Sequence, residues 1–495
     1  MDKKIAGLDI GTTGCKCTVF DETGAYLGNA YAEYSVRRTV SGHEVDVSSI
    51  MDGVYKVLSD MAGKYPDIGG IGVTSFGETF VLTDQAGQPL HTSMLYTDPR
   101  GKEECEILVR ALGEKNIARI TGLRPHEMYS ISKLMWMKKN QPTIYKEATY
   151  IFLIEDYVIY HLTGKRQIDY SLAARTMAFD IVTLNWSQEI FEAAGIEMNK
   201  MSRPVPTGTV AGLIQERAVL RTGLSPDTHI ISVSHDQVAA AVGAGAFDSS
   251  VAVDGAGTVE CVTPVYDQLP DVDVMYRGHF SIVPYVIPGK YVAYAFSYTG
   301  GALLQWCTKT LAKKEMELAK ARGISVNEYL ENYPGPTGLL VLPHFAGAAT
   351  PYMDIGSKGA ILGITTDTSV EEIYRACMEG VVYEMYLNIK ALDGSGNCFT
   401  RMHATGGGAR SGVWMQMKAD ILNLPVTALA TVDAGTVGSA MLTGIAIGIF
   451  KNLEDAASHM VMETKTYVPR PKMHNKYMEI YRQYEKLYQA VRPLV

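Results

Sequence analysis

A phosphate group needs several converging N–H donors and no bulky side chain in the way, which is why glycine beside a small hydroxyl residue recurs at such sites. Gly11-Thr12-Thr13 offers that combination, with Lys16 a few residues on as a cation and Asp9 just ahead as a partner for hydrated Mg²⁺. The pairing returns at Gly257-Thr258, behind Asp254. A single Gly-Thr turn is equally at home in a plain hairpin, but two of them facing one another across a cleft would grip a polyphosphate from both sides. A third glycine cluster, TGGGARSG from Thr405, follows a strand-like stretch and precedes a helical one, the order expected where backbone passes close to a nucleotide. It is weak evidence for a dinucleotide, because the start of the chain lacks a GxGxxG between strand and helix.

Proton chemistry is offered by VSHDQVAAAVGAG, residues 233–245, which sets His235, Asp236 and Gln237 against a run of Ala, Val and Gly. A carboxylate in that position either caps a helix or stands ready to take a proton. The small residues after it let a helix N-terminus approach a site closely, and VGAGA reads as close packing of that helix against the neighbouring hairpin.

These groups need elements to hold them. Residues 5–9 read as a buried strand, GTTG as a turn, CKCTVFD as a second strand, and a third strand is expected near Ala30 to Ser35. From Val251, VAVDGAGTVECVTPVYD repeats the pattern of strand, Asp, small-residue turn and strand. Asp9 and Asp254 stand close to half the chain length apart, so an internal duplication is one explanation, although strand-Asp-Gly turns are common enough to arise twice. Two domains follow, 1–247 and 248–495, and 495 residues exceed what one hydrophobic core usually supports. No Pro-, Ser- or Gly-rich linker separates them, so close apposition with a functional cleft between them is expected. Elsewhere short β-branched runs alternate with helical patterns, the rhythm of an α/β fold. Near the C-terminus Tyr477, Tyr481, Tyr484 and Tyr488 fall at helical spacing, predicting one amphipathic helix that lays an aromatic stripe on the second domain.

Composition narrows the partners. With 47% apolar and 20% charged residues the chain is ordinary globular protein, and 53 acidic against 45 basic residues, with no long basic run, argues against nucleic acid. The 7 cysteines are odd in number and form no CxxC pair, so neither a disulfide framework nor a zinc site is suggested and a reducing cytoplasm is expected. The N-terminus runs straight into a strand pattern, and no stretch reaches the roughly eighteen uninterrupted apolar residues of a membrane span, so neither secretion nor a membrane partner is expected.

Taken in order, several segments resemble the FGGY carbohydrate kinases, which belong with actin, hexokinase and the heat-shock chaperones among ATPases built from two ribonuclease-H-like domains. LDIGTTGCKCTVFD is similar to the family's first phosphate loop, IGVTSFGETFVLTDQAGQPL to its sugar-pocket strand and turn, and GAILGITTDTSVEEIYRACMEG to its C-terminal signature, with Cys377 where a Ser, Thr, Ala or aliphatic residue is usual. MLYTDPR, LTGKRQIDYSLAARTMAFDI, GGALLQW and GGGARSGVWMQMKADILNLPV add to the likeness, which runs nearly end to end. The resemblance implies an α/β fold of two ribonuclease-H-like domains around a cleft, and ATP-dependent phosphorylation of a small sugar or polyol. It makes Asp236 the general base and Asp9, with Asp236, the partner of Mg²⁺. It assigns the phosphates to Gly11, Thr12, Thr13, Lys16, Gly257 and Thr258, and the rest of the nucleotide to Gly301, Gln305, Gly407 and Gly408; Gln305 is equally readable as a surface residue of its helix.

The sugar pocket departs from the pattern. Where glycerol-kinase-like members carry Gln-Arg-Glu and xylulose kinases Gln-Met-His, this chain has Phe76-Gly77-Glu78. Gln237 resembles glycerol kinase, whereas His235 resembles kinases for deoxy sugars. Glycine in place of a long cation is expected to leave room for a larger substrate, a ketopentose, ketohexose or longer polyol, with Glu78, His235, Asp236 and Gln237 as hydroxyl ligands. A packed histidine bonded to backbone is the competing reading of His235. Two further readings share the fold: an actin- or chaperone-type ATPase, for which the chain has no room for a peptide-binding domain, and a catalytically silent sugar sensor, against which Asp9, Asp236 and both Gly-Thr loops argue. A homodimer is the expected assembly.

Overall fold

The computed structural model describes residues 3–39, 42–430 and 433–495. Strands β1 (Lys4–Ile10), β2 (Gly14–Phe20) and β3 (Tyr26–Glu33) form the expected antiparallel meander, the third strand starting earlier than its Ala30–Ser35 estimate. On its other side β1 pairs in parallel with β4 (Ile68–Ser75), and β5 (Thr209–Leu213) and β6 (His229–His235) complete a sheet in the order β5-β6-β4-β1-β2-β3. The buried Ile, Val and Leu run of β1, β4 and β6 is what a sheet covered on both faces requires.

The second sheet starts from β7 (Val251–Ala256) and β8 (Glu260–Tyr266), with β9 (Ser281–Pro284) and β10 (Tyr291–Ser297) beyond β8. β11 (Arg401–Thr405) and β12 (Val426–Leu429) run parallel to β7, and β13 (Glu463–Tyr467) closes the far edge, giving β9-β10-β8-β7-β11-β12-β13. Without β9 and the two outer strands β5 and β13, the remaining five strands share one order and one pattern of directions, as an internal duplication would leave them; β5 precedes its neighbour β6 in the chain, whereas β13 follows its neighbour β12.

Helices decide which faces meet. α1 (Val47–Ala62), capped by the Asp46 carboxylate accepting from the Ser48 N–H, packs on the outer face of the first sheet. α2 (Asp236–Gly243) leaves the end of β6 directly. In the second half α3 (Gly301–Leu311) lies on α4 (Val370–Ala391), and α5 (Gly412–Leu422) follows the glycine turn. α6 (Ala434–Ala446) belongs to the second half in sequence but covers the first sheet, where Ser439 Oγ donates to the Gly72 carbonyl at 2.8 Å. α2 and α6 touch backbone to backbone: a Cβ on Gly243 would lie 2.0 Å from the Ala434 carbonyl oxygen, and one on Gly438 1.9 Å from that of Ala239. The glycines of VGAGA therefore serve a helix crossing, and the expected contact with the adjacent hairpin gives way to a helix from the far end of the chain.

α7 (Pro471–Tyr484) places Tyr477, Tyr481 and Tyr484 against Tyr383 of α4, with Arg375 donating to Tyr477 Oη at 2.9 Å. The aromatic stripe is split, because Tyr488 lies in the next short helix, Leu487–Val491, stacked on Tyr352 at 3.8 Å. Among the described residues no helix is long and apolar enough to cross a membrane.

Candidate active site

The first hairpin turn is closed by the Gly11 N–H donating to the Gly14 carbonyl at 2.9 Å, and Tyr34 Oη donates to the Gly11 carbonyl. Thr12 is half-buried and Thr13 exposed. Lys16 faces Asp9 across the β1–β2 register and pairs with Asp433, at the cap of α6, at 2.8 Å. Asp9 Oδ1 is buried without a hydrogen-bond partner. Burial, then the Asp236 and Asp433 carboxylates, hold Asp9 well above the usual carboxylate range, with Lys16 opposing. A carboxylate crowded by two others and left with an orphaned oxygen fits a divalent cation. The described residues form no group of three or more metal-ligating side chains, so such an ion would complete its shell with water and phosphate oxygens.

The second hairpin turn sits among the other glycines. Gly301 N–H donates to the Gly257 carbonyl at 2.9 Å, and Gly300 and Ala302 N–H groups both reach the Thr258 carbonyl at 3.0 Å. A Cβ on Gly301 would be 2.7 Å from the Gly257 carbonyl oxygen, and one on Gly408 would be 3.0 Å from Ala256 Cβ. Gly257, Thr258, Gly301 and Gly408 are thus gathered at the end of β7, while Gly407 and Gln305 are exposed nearby on the glycine turn and on α3. Asp254, the counterpart of Asp9, is treated differently: Lys418 of α5, fully buried, donates to Asp254 at 2.6 Å and also pairs with Glu260. Only the first copy is left with a carboxylate open to a cation. Nothing local in the sequence marked Lys418, whose charge is legible only once Asp254 and Glu260 are seen around it.

Asp236 is the first residue of α2; His235 holds the cap position and makes no side-chain cap bond, so the capping role does not fall to the Asp236 carboxylate. Its side chain keeps 29% exposure. Burial, with Glu78 adding like charge, pushes Asp236 up to about 7, while the backbone and side chain of Gln237 bond its carboxylate and Arg175 opposes the rise. The same carboxylate raises both Asp9 on the first hairpin and the Cys261 thiol on the second, which puts it within electrostatic reach of each.

The sugar-pocket residues gather around a group that sequence reasoning missed. Glu78 is buried in the left-handed region at φ 66 and accepts from Arg175 Nε at 2.7 Å. Arg175 is buried too, lies over the rings of Tyr129 and Tyr294, and keeps Nη1 without a partner. A Cβ on Gly77 would come within 3.0 Å of Arg175 Cγ and 3.2 Å of His235 Cδ2. The expected spare room at Gly77 is therefore not there: the stem of Arg175 fills it, and a guanidinium from a distant segment stands beside Glu78. Arg175 lies within the segment matched to the family, but its type alone gave no hint of its partner.

His235 is buried with its backbone N–H donated to Ser171 Oγ at 2.8 Å. Its ring nitrogens face side chains, Nδ1 the Tyr294 Oη at 3.0 Å and Nε2 the Asp236 Oδ1 at 3.3 Å, which sets aside the packed-against-backbone reading. Burial, then Arg175, hold the imidazole well below its ordinary range, so it is neutral. A cavity of about 1000 Å³ opens from Asp9, Gly11, Lys16 and Asp433 toward Tyr26 and His459.

Two Gly-Thr hairpin turns on sheets of like core order, with the Asp236 carboxylate within electrostatic reach of both, give a two-domain α/β fold of the actin-like ATPase kind. Residues 4–243 match the N-terminal domain of the FGGY family of carbohydrate kinases and residues 257–447 its C-terminal domain, so the chain belongs to that family. It is 26% identical to a xylulose kinase of Lactococcus lactis, over 98% of this chain and 96% of that protein. It is 28% identical to a gluconokinase of Bacillus subtilis, over 95% and 92%. Its fold matches that of ligand-bound xylulose kinase from Lactobacillus acidophilus with a TM-score of 0.90, at 24% identity, covering 99% of this chain and 98% of the other. The protein is a carbohydrate kinase.

Proposed function

We propose that the enzyme transfers the γ-phosphoryl group of ATP to a hydroxyl of a ketopentose, a ketohexose or a polyol, with Asp236 as general base and residues 1–247 and 248–495 as its two domains. The observation that supports this most is the position of Asp236, within electrostatic reach of Asp9 and Cys261 on the two hairpins and held near neutrality by its burial.

An alcohol is a weak nucleophile, and phosphoryl transfer is mainly positioning and charge neutralisation. Asp236 accepts the hydroxyl proton as the oxygen attacks, and a base titrating near the working pH does this best. Gln237 steadies the carboxylate, and the buried Glu78–Arg175 ion pair lies beside it. The Gly11 and Gly257 N–H groups close their own turns, so Thr12, Thr13 and Thr258, with Lys16, hold the phosphates while Gly11 and Gly257 keep the approach clear of side chains, and Gly301, Gln305, Gly407 and Gly408 border the nucleotide. Asp9, through its orphaned Oδ1, and Asp236 would hold Mg²⁺ by way of water, and the ion offsets phosphate charge. The working assembly is a homodimer in the cytoplasm, checked by sedimentation and fractionation.

A coupled ADP-release screen over pentuloses, hexuloses, their deoxy forms, aldonates and polyols identifies the acceptor. ATP turnover that rises only on adding a sugar separates this reading from a chaperone-type ATPase and from a silent sensor. Sugar-independent turnover, or none with any sugar, overturns it.

A further inference from the structure

We propose that Tyr294 is the second domain's contribution to the base: it fixes the orientation of His235, which in turn fixes one oxygen of Asp236. This rests on the reading of Asp236 as general base. Tyr294 lies on β10 of the second sheet, whereas His235 ends β6 of the first, so the 3.0 Å contact between them crosses from one domain to the other.

A neutral imidazole has one N–H donor and one acceptor nitrogen, and the partners assign which is which. A carboxylate only accepts, so the tautomer with hydrogen on Nε2, which faces Asp236 Oδ1 at 3.3 Å, is the favourable one. Nδ1 then accepts, and the Tyr294 hydroxyl donates to it. The opposite tautomer would set the Nε2 lone pair against the carboxylate. The ring is buried with Gly77 close to its Cδ2 edge, and the main chain that carries it is tied to Ser171 Oγ at 2.8 Å. His235 and Gln237 together set the orientation in which the carboxylate meets the substrate hydroxyl. Tyr294 touches no reacting atom and is a positioning residue. Its place on the second sheet ties the orientation of the base to the position of that domain, so a displaced second domain releases the imidazole and leaves the carboxylate free to rotate.

Tyr294→Phe keeps the ring beside Arg175 and removes only the hydroxyl. The expected result is a fall in kcat of about tenfold, the size of one lost hydrogen bond, with KM for sugar and for ATP within about twofold of the parent. ¹⁵N spectra of the intact enzyme should show His235 as a single Nε2–H tautomer in the parent and as a mixture in the variant. In the Asp236→Ala background, adding Tyr294→Phe should cost nothing further. An unchanged kcat, an effect confined to KM, or an Nδ1–H tautomer in the parent overturns the proposal even if Tyr294→Phe folds poorly, since the last measurement needs no variant. Should Asp236→Ala retain near-parental activity, the base assignment itself fails. Should Asp236→Ala be inactive while Tyr294→Phe turns over normally, only the positioning role of Tyr294 fails.

Discussion

Lys418 donates to Asp254 at 2.6 Å in a site with no solvent exposure on either side chain, whereas Asp9, the counterpart of Asp254 in the first sheet, has no cation bonded to it in the ion pairs described, although each carboxylate keeps one buried oxygen without a partner. The two copies of one hairpin have thus been put to different electrostatic uses. The second is neutralised internally and rigid; the first is left short of positive charge beside the reaction centre.

Replacing Lys418 by Met removes the only cation paired with Asp254 and Glu260 in the ion pairs described. Breaking a buried ion cluster from one side costs about 3 to 5 kcal/mol, because a charge is left uncompensated. Lys418→Met is expected to lower stability by that amount in urea unfolding, while Lys16→Met, removing a half-exposed pair, changes stability by less than about 1 kcal/mol. Equal losses in the two variants would contradict the asymmetry.

For Asp236 the pH dependence has a definite sign. Its proton affinity is raised, to about 7, so the carboxylate is present above that pH and protonated below it. kcat/KM, which reports the free enzyme, should rise with pH through about 7 and level off above. Asp236→Ala should cost about 10² to 10⁴ in kcat with ATP binding retained, as measured by equilibrium titration. A flat acid limb down to pH 5, or activity within about tenfold of the parent, would set Asp236 aside.

The crossing of α2 and α6 admits no side chain at Gly438, where a Cβ would lie 1.9 Å from the Ala239 carbonyl oxygen. Gly438→Ala is expected to force the helices apart at a cost of about 1 to 3 kcal/mol, read from the denaturant midpoint. Gly289→Ala, at an open site but with φ 80, separates the two causes, since its cost is backbone strain alone. A neutral Gly438→Ala would show that the contact relaxes freely.

Introducing the arginine of the glycerol-kinase-like pattern by Gly77→Arg should not create a glycerol kinase. The new side chain would meet Arg175 Cγ and bring a second guanidinium to Glu78, which Arg175 already holds. Activity on the natural sugar is expected to fall by about tenfold or more, equivalent to over 1.4 kcal/mol, with no glycerol phosphorylation in the ADP-release assay. Appearance of glycerol activity would show that Arg175 does not occupy that role.

Much of the chemistry was legible in local sequence, because turns and strands are set by short-range sterics. Gly-Thr after a buried strand specifies a tight hairpin whichever sheet it joins, so Gly11-Thr12 and Gly257-Thr258 were readable directly, as was the carboxylate of Asp236 ahead of a helix of small residues. The β1-β2-β3 meander has its counterpart in β7, β8 and β10, each starting from the same strand-Asp-turn pattern.

What the one-dimensional reading misjudged depends on which distant surfaces are buried together. Gly77 looked like vacated space, yet Arg175, carried on another segment, fills it and supplies the charge. Tyr294, Lys418 and the partner of Gly243 were invisible for the same reason: each acts on a group brought to it only when the two sheets and the α2–α6 crossing come together. Sequence alone set the backbone turns and the residue types able to handle phosphate and proton. Only the packing of two domains decided which carboxylate is crowded by others, which is paired with a buried lysine, and which is pushed up to about 7, because an ionisable group's behaviour is governed by its burial and its neighbours in space.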